Sequence, residues 1–136
     1  MGKPPAAGVT AGEVTILIVD DDADMRLLAR HVLSRAGITV AAEAHDGPAA
    51  LAELDRLDPP PIPTVVLLDN QMPGPTGLDV AHEILSRVPN QLIVLFSAYL
   101  DDAIIERAKA IGITACISKS QALDLGRIIT GLATMN

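Results

Sequence analysis

The sequence predicts an α/β protein: a five-stranded parallel sheet with helices on both faces. Three observations carry this. Short aliphatic runs alternate with stretches whose apolar residues recur at i, i+3 and i+4. The alternation occurs five times, and no strand-like run directly follows another. Several of the runs are apolar throughout, as strands buried on both faces are. At 136 residues the chain has room for one such domain, since a domain takes roughly 100–200 residues.

Met1 to Glu13 is rich in Pro, Gly and Ala without periodicity and reads as a flexible tail, so the folded part is expected over residues 14–133, with 134–136 as the C-terminal end. Val14 to Val19 is the first strand. Met25, Leu28, Ala29, Val32, Leu33 and Ala36 stripe the first helix, which Gly37 stops. Ile38 to Ala44 is the second strand, after which Asp46-Gly47 is read as a turn. Ala50, Leu51, Leu54 and Leu57 mark a short helix ended by Pro59, Pro60, Pro61 and Pro63. Val65 to Leu68 is the third strand, and Leu78, Ala81, Leu85 and Val88 stripe a helix closed by Pro89. Leu92 to Phe96 is the fourth strand, followed by a helix around Ile104, Ile105, Ala108 and Ile111. Ile113 to Ile117 is the fifth strand, and Leu125, Ile128, Ile129 and Leu132 mark the last helix.

Composition excludes several classes of function. The net charge is −7, and Phe96 and Tyr99 are the only aromatic residues, so the basic grooves and stacking rings that bind nucleic acid are missing. The same acidity disfavours an anionic membrane surface. The longest unbroken apolar run, Leu92 to Phe96, is far short of the ~18 residues of a membrane span. The single cysteine, Cys116, forms no internal disulfide or zinc cluster and reads as a small core residue. Together these point to the cytoplasm.

In a parallel sheet, ligands bind beyond the carboxyl ends of the strands. Those positions hold Asp20, Asp21 and Asp22 after the first strand, Asp69 to Gly74 after the third, Ser97 to Tyr99 after the fourth, and Ser118, Lys119 and Ser120 after the fifth; the second offers only His45 and Asp46. Clustered carboxylates repel one another and favour a bound cation. Mg²⁺ is the natural one, taking one or two carboxylates and bridging to phosphate. With Lys119 as a fixed positive charge and Ser97 as a hydroxyl donor, this is equipment for phosphoryl transfer, in which a carboxylate nucleophile gives an aspartyl phosphate. Asp22 and Asp24 suit the N-terminus of the first helix, and Glu53, Asp55, Glu83 and Glu106 read as solvated helix faces.

With these residues in place, the chain closely resembles the receiver domain of two-component response regulators, which have a (βα)5 flavodoxin-like fold. The matching stretches are ILIVDDDADMR (Ile16 to Arg26), AEAHDGPAAL (Ala42 to Leu51), VVLLDNQMPGPTGLDV (Val65 to Val80), LIVLFSAY (Leu92 to Tyr99) and ACISKS (Ala115 to Ser120). The resemblance implies that Asp69 is the phosphate acceptor. It implies that Asp20, Asp21, Asp69 and the backbone carbonyl of Gln71 hold Mg²⁺, one of the acidic pair directly and the other through water. Ser97 matches the switch hydroxyl and Lys119 the phosphate-contacting lysine. The implied phosphodonor is a histidine kinase or a histidine phosphotransfer protein. The implied output face is the fourth helix, fifth strand and fifth helix, carrying Asp102, Glu106, Arg107, Lys109, Asp124 and Arg127, which binds a downstream partner or a second copy. Such a domain is not an enzyme beyond its own phosphorylation and dephosphorylation.

Three positions depart from the commonest pattern. Ser120 stands where a cis-proline usually follows the lysine, so the loop either holds that strain or takes another path. Cys116 stands where an aromatic ring usually swings inward on phosphorylation. Tyr99 is placed at the site rim, where a ring slows water attack on the acyl phosphate or is merely a half-exposed loop residue. Two alternatives are weighed against the switch. One is a receiver-shaped interaction module that works without phosphorylation. The other is a haloacid-dehalogenase-type phosphatase with Asp20 as nucleophile, although only Asp124 follows Lys119 to serve as that family's last acidic motif.

Overall fold

The structure is a computed structural model and describes residues 14–57 and 63–134. The strands are β1 (Thr15–Val19), β2 (Thr39–Ala44), β3 (Val65–Leu68), β4 (Leu92–Ser97) and β5 (Ala115–Ser118). The helices are α1 (Ala23–Arg35), α2 (Gly47–Arg56), α3 (Gly77–Arg87), α4 (Asp102–Ile111) and α5 (Leu125–Thr134), with a 3-10 turn over Lys119–Asp124 leading into α5. The sheet order is β2-β1-β3-β4-β5, and all pairs are parallel.

Alternation along the strands divides the core. Ile16, Ile18, Val65, Leu67, Val94 and Phe96 pack with Ala29 and Leu33 of α1 and Leu125 and Ile129 of α5. Leu17, Val19, Val66, Leu68, Ile93 and Leu95 pack with α2, α3 and α4 through Ala50, Leu78, Ala81, Ile84 and Ala108. Successive strand side chains point to opposite faces, so an apolar run with no polar break requires helices on both. Phe96 is buried in this aliphatic core, whereas Tyr99 is 55% exposed.

Four local expectations change. Asp46-Gly47 is a helix start rather than a turn: the Asp46 carboxylate accepts from the Ala49 N–H at 2.9 Å, and Gly47 is the first residue of α2. Gly47 lies under Val80, where a Cβ would come within 2.7 Å of Val80 Cγ2. Leu28 leaves the α1 stripe and is 37% exposed, because at about 100° per residue it lies beside the buried Ala29–Leu33 line. Ile113 lies outside β5 and closes the C-terminus of α4, its N–H bonding to the Ala108 carbonyl past Gly112, whose φ is +107°. Ser97 and Ser118 are the last residues of β4 and β5, paired with one another, instead of following them. Helix α2 ends at Arg56; Pro59, Pro60 and Pro61, like the 1–13 tail and residues 135–136, lie outside the described residues, while Pro63 is buried. Among the described residues no helix is long and apolar enough to cross a membrane.

Candidate functional site

The chain leaves β1 for β2 on one side and returns to β3 on the other, so a crevice opens beyond the carboxyl ends of β1 and β3. The register sets Val19 beside Leu68, and the Asp69 N–H donates to the Val19 carbonyl at 2.9 Å. Asp20 and Asp69 therefore emerge side by side, both buried. Carboxylate oxygens of Asp20, Asp21 and Asp69 lie within 4.8 Å of one another, with Asp21 at the solvent side. Lys119 reaches in from the end of β5, its Nζ 2.8 Å from Asp20 Oδ2 and 3.3 Å from Asp69 Oδ1.

The electrostatics follow from this crowding. Burial, then the Asp20 charge, push the Asp69 carboxyl up, against Lys119 and a backbone bond from Gln71 that draw it down. Burial pulls the Lys119 ammonium down, but Asp20 and Asp69 more than offset it, so that it ends above its ordinary value. Three hard oxygen donors carrying more negative charge than one ammonium balances are a donor set suited to a small divalent cation such as Mg²⁺.

Local structure holds these groups in place. Asp22 caps α1, its carboxylate accepting from the Asp24 N–H at 2.9 Å, while Asp20 Oδ1 accepts from the Asp22 N–H at 2.9 Å. Behind Asp69, Asn70 Oδ1 accepts from the Leu78 N–H at 3.1 Å, and the Asn70 carbonyl accepts from the Gly77 N–H at 3.0 Å. Helix α3 approaches so closely that a Cβ on Gly77 would stand 2.3 Å from the Asp69 carbonyl oxygen. Thr76 and Asp79 close a capping box at the same helix start.

Ser97 is fully buried, and its hydroxyl is engaged by the main chain of Tyr99, donating to the carbonyl at 3.2 Å and accepting from the N–H at 3.3 Å. Tyr99 Oη donates to Asp101 Oδ2 at 3.2 Å, which raises the pKa of the phenol. Cys116 is half-buried on β5, an edge strand, and packs against the α4 side of the core; burial pushes its thiol up. After Lys119 the chain winds into the 3-10 turn, with Ser118 Oγ accepting from the Ser120 N–H at 3.2 Å.

The family model for the response regulator receiver domain matches residues 16–130. The chain belongs to this family. The receiver is 38% identical to the chemotaxis protein CheY of Thermotoga maritima over 96 residues, 70% of this chain and 77% of the relative. It is 34% identical to the transcriptional regulatory protein PdtaR of Mycobacterium tuberculosis over 106 residues, 76% of this chain but 48% of that longer relative. Among solved structures, the receiver domain of the response regulator NarL from Mycobacterium tuberculosis is 30% identical and superposes with a TM-score of 0.79, covering 90% of this chain and 98% of that one. Receivers are the signalling modules of two-component systems, bind Mg²⁺ at an acidic pocket, and interact with histidine kinases and downstream partners.

The strand-end residues Asp20, Asp21, Asp69 and Lys119 thus meet in one pocket. Ser97 turns its hydroxyl to the Tyr99 loop, and the Gln71 side chain is exposed. Sequence reasoning passed over Arg26, which donates from a guanidinium nitrogen to the Asp20 carbonyl at 2.6 Å. It also passed over Gly77, whose position two residues after Pro75 gave no warning of the close approach.

Proposed function

We propose that this receiver accepts a phosphoryl group on Asp69 from the phosphohistidine of a histidine kinase or histidine phosphotransfer protein, in a Mg²⁺-dependent step. The observation that carries this reading is Lys119 Nζ bridging Asp20 and Asp69 at the switch point of the sheet. Asp69, the Gln71 backbone carbonyl and the acidic pair Asp20 and Asp21, one of the pair directly and the other through water, are the proposed metal ligands. When bound, Mg²⁺ supplies charge neutralisation for phosphoryl oxygens.

The chain's own groups do the rest. An Asp69 carboxylate oxygen forms the new P–O bond as the P–N bond breaks, and that electron pair returns to the imidazole. Lys119 turns from its two carboxylates to a phosphoryl oxygen. The phosphoryl group carries roughly −1.5 to −2 charge in place of the carboxylate's single charge and lies farther from the backbone, which draws Ser97 Oγ away from the Tyr99 main chain and releases that loop. The change is passed to the α4–β5–α5 face, where Asp102, Glu106, Arg107, Lys109, Asp124 and Arg127 are all exposed. That face binds a partner protein or a second copy, in the cytoplasm. Cys116 offers no ring to follow Ser97 inward, so the Ser97–Tyr99 loop carries the signal in this reading.

A small acyl phosphate donor with Mg²⁺ tests the proposal by intact mass. The expected result is one phosphoryl adduct in the wild type and none in Asp69→Asn. An adduct that survives in Asp69→Asn but disappears in Asp20→Asn would overturn it in favour of a phosphatase-type nucleophile.

A further inference from the structure

The geometry points to Arg26 as a positioning residue for the metal pocket, acting through the peptide plane that joins Asp20 to Asp21. This rests on the reading of that pocket as a Mg²⁺ site. Arg26 lies on α1, 21% exposed, and its Nη1 donates to the Asp20 carbonyl oxygen at 2.6 Å. The peptide unit is planar, so the Asp20 carbonyl and the Asp21 N–H move as one body. One bond to that carbonyl therefore orients the backbone from which both acidic side chains spring. The Asp20 carboxylate is held separately, by the Asp22 N–H on Oδ1 and Lys119 on Oδ2. Among the bonds described, that from Arg26 is the one that locks the plane between the two acids.

A guanidinium this close to a cation site would repel the cation, and Glu43 on β2 answers that. Its carboxylate accepts from Arg26 Nε at 3.3 Å and from Arg30 on the next turn of α1. Glu43 thereby offsets the charge of Arg26 and aims its planar fork, with Nε on the carboxylate and Nη1 on the carbonyl. Lysine keeps the charge but lacks the fork, and cannot hold both partners in that geometry.

Arg26→Lys is therefore the decisive variant, since it changes geometry at constant charge. Groups behind metal ligands typically matter by 10–100-fold in affinity, and we expect the Mg²⁺ Kd, by calorimetry, to rise about ten-fold. The Mg²⁺ concentration for half-maximal phosphorylation by the acyl phosphate should rise alike, with the rate at saturating Mg²⁺ little changed. Arg30→Lys, which also touches Glu43 but not Asp20, should bind Mg²⁺ as the wild type does. A purely structural role would lower the unfolding midpoint in chelator while leaving the Kd and the Mg²⁺-induced rise in midpoint intact; that result overturns the inference. Equal weakening by Arg30→Lys would also overturn it, placing the effect in the ion-pair network. If the wild type binds no Mg²⁺, or Asp20→Asn binds it as tightly as the wild type, the metal-site reading itself fails and the inference falls with it.

Discussion

Beyond β1 and β3, three carboxylates and one ammonium are assembled at short range before any ligand arrives, with Lys119 3.3 Å or less from both buried acids. At the end of β4, the buried Ser97 hydroxyl has both its bonds to the main chain of a loop whose only ring points to solvent. The first region is preorganised for charge that is brought to it; the second is satisfied as it stands and must exchange partners to respond. Preorganised electrostatics suits chemistry, whereas a group with two alternative sets of partners suits a switch. Mutations in the two regions should therefore differ in kind: loss of chemistry in one, altered lifetime or signalling in the other.

The largest effect should come from the wall behind the acidic region. Gly77→Ala puts a Cβ 2.3 Å from the Asp69 carbonyl and 2.7 Å from the Asn70 Cα, both backbone atoms that cannot swing aside. We expect about 3 kcal/mol of destabilisation, the upper end of ordinary overpacking, and loss of phosphoryl acceptance in whatever remains folded. Gly131→Ala, with nothing within 4 Å of its Cβ, should instead be stabilising by roughly 0.5–1 kcal/mol as a helix-interior glycine replacement. Denaturant midpoints check both, and equal shifts would mean that α3 is not wedged against the Asp69 loop.

Lys119→Met separates two roles of one ammonium. Removing a cation that sits on both acids should tighten Mg²⁺ binding on the order of ten-fold, the scale of one neighbouring charge. The rate of phosphorylation at saturating Mg²⁺ should fall by roughly 10²-fold, as when a single transition-state donor is lost. Calorimetry and single-turnover labelling would show the two changes in opposite directions. Changes in the same direction would contradict the bridging geometry.

A smaller effect, and one confined to the acidic region, concerns pH. Burial and then Asp20 raise the Asp69 carboxyl in the folded state, so the folded protein holds that proton more tightly than the unfolded chain does. Stability is then lost as pH rises from the ordinary carboxylate range through the raised value, and the loss is complete above that value. In chelator, Asp69→Asn should melt higher than wild type at pH 7, and the advantage should vanish as pH falls below the ordinary carboxylate range. An advantage that does not change with pH would assign it to packing instead of charge.

The acidic region was legible because its signal is local. An aspartate directly after an apolar run marks a strand end, and the β2-β1-β3-β4-β5 order brings those ends together, so Asp20, Asp69 and Lys119 needed only strand position. Arg26 and Glu43 were not legible, being 17 residues apart and joined through a main-chain oxygen, which no side-chain pattern announces. Gly77 was equally silent, because its role is the approach of one backbone to another. Asp46-Gly47 misled for a physical reason: the same Asp side chain that closes a turn also caps a helix, and only the Val80 packing above Gly47 decides. Ser97 was expected just past its strand and is instead the strand's last residue, and the partners of its hydroxyl depend on the path of the loop beyond.

That loop carries the smallest prediction. Tyr99 is half exposed, and its hydroxyl is held by Asp101 two residues on. Its backbone is what Ser97 grips, so the ring and the switch share one residue. If Ser97 releases the loop on phosphorylation, the ring is free to move while the acyl phosphate stands, and a ring near the pocket mouth would slow the entry of water. Tyr99→Ala should then shorten the phosphoryl lifetime a few-fold without changing Mg²⁺ affinity, since its hydroxyl is held by Asp101 and not by a proposed metal donor. Tyr99→Phe, which loses only the bond to Asp101, separates the ring from its tether: a wild-type lifetime there assigns the effect to the ring. Unchanged decay in Tyr99→Ala would leave the loop with its main chain as the sole working part, making the contrast with the acidic region one of backbone against charge.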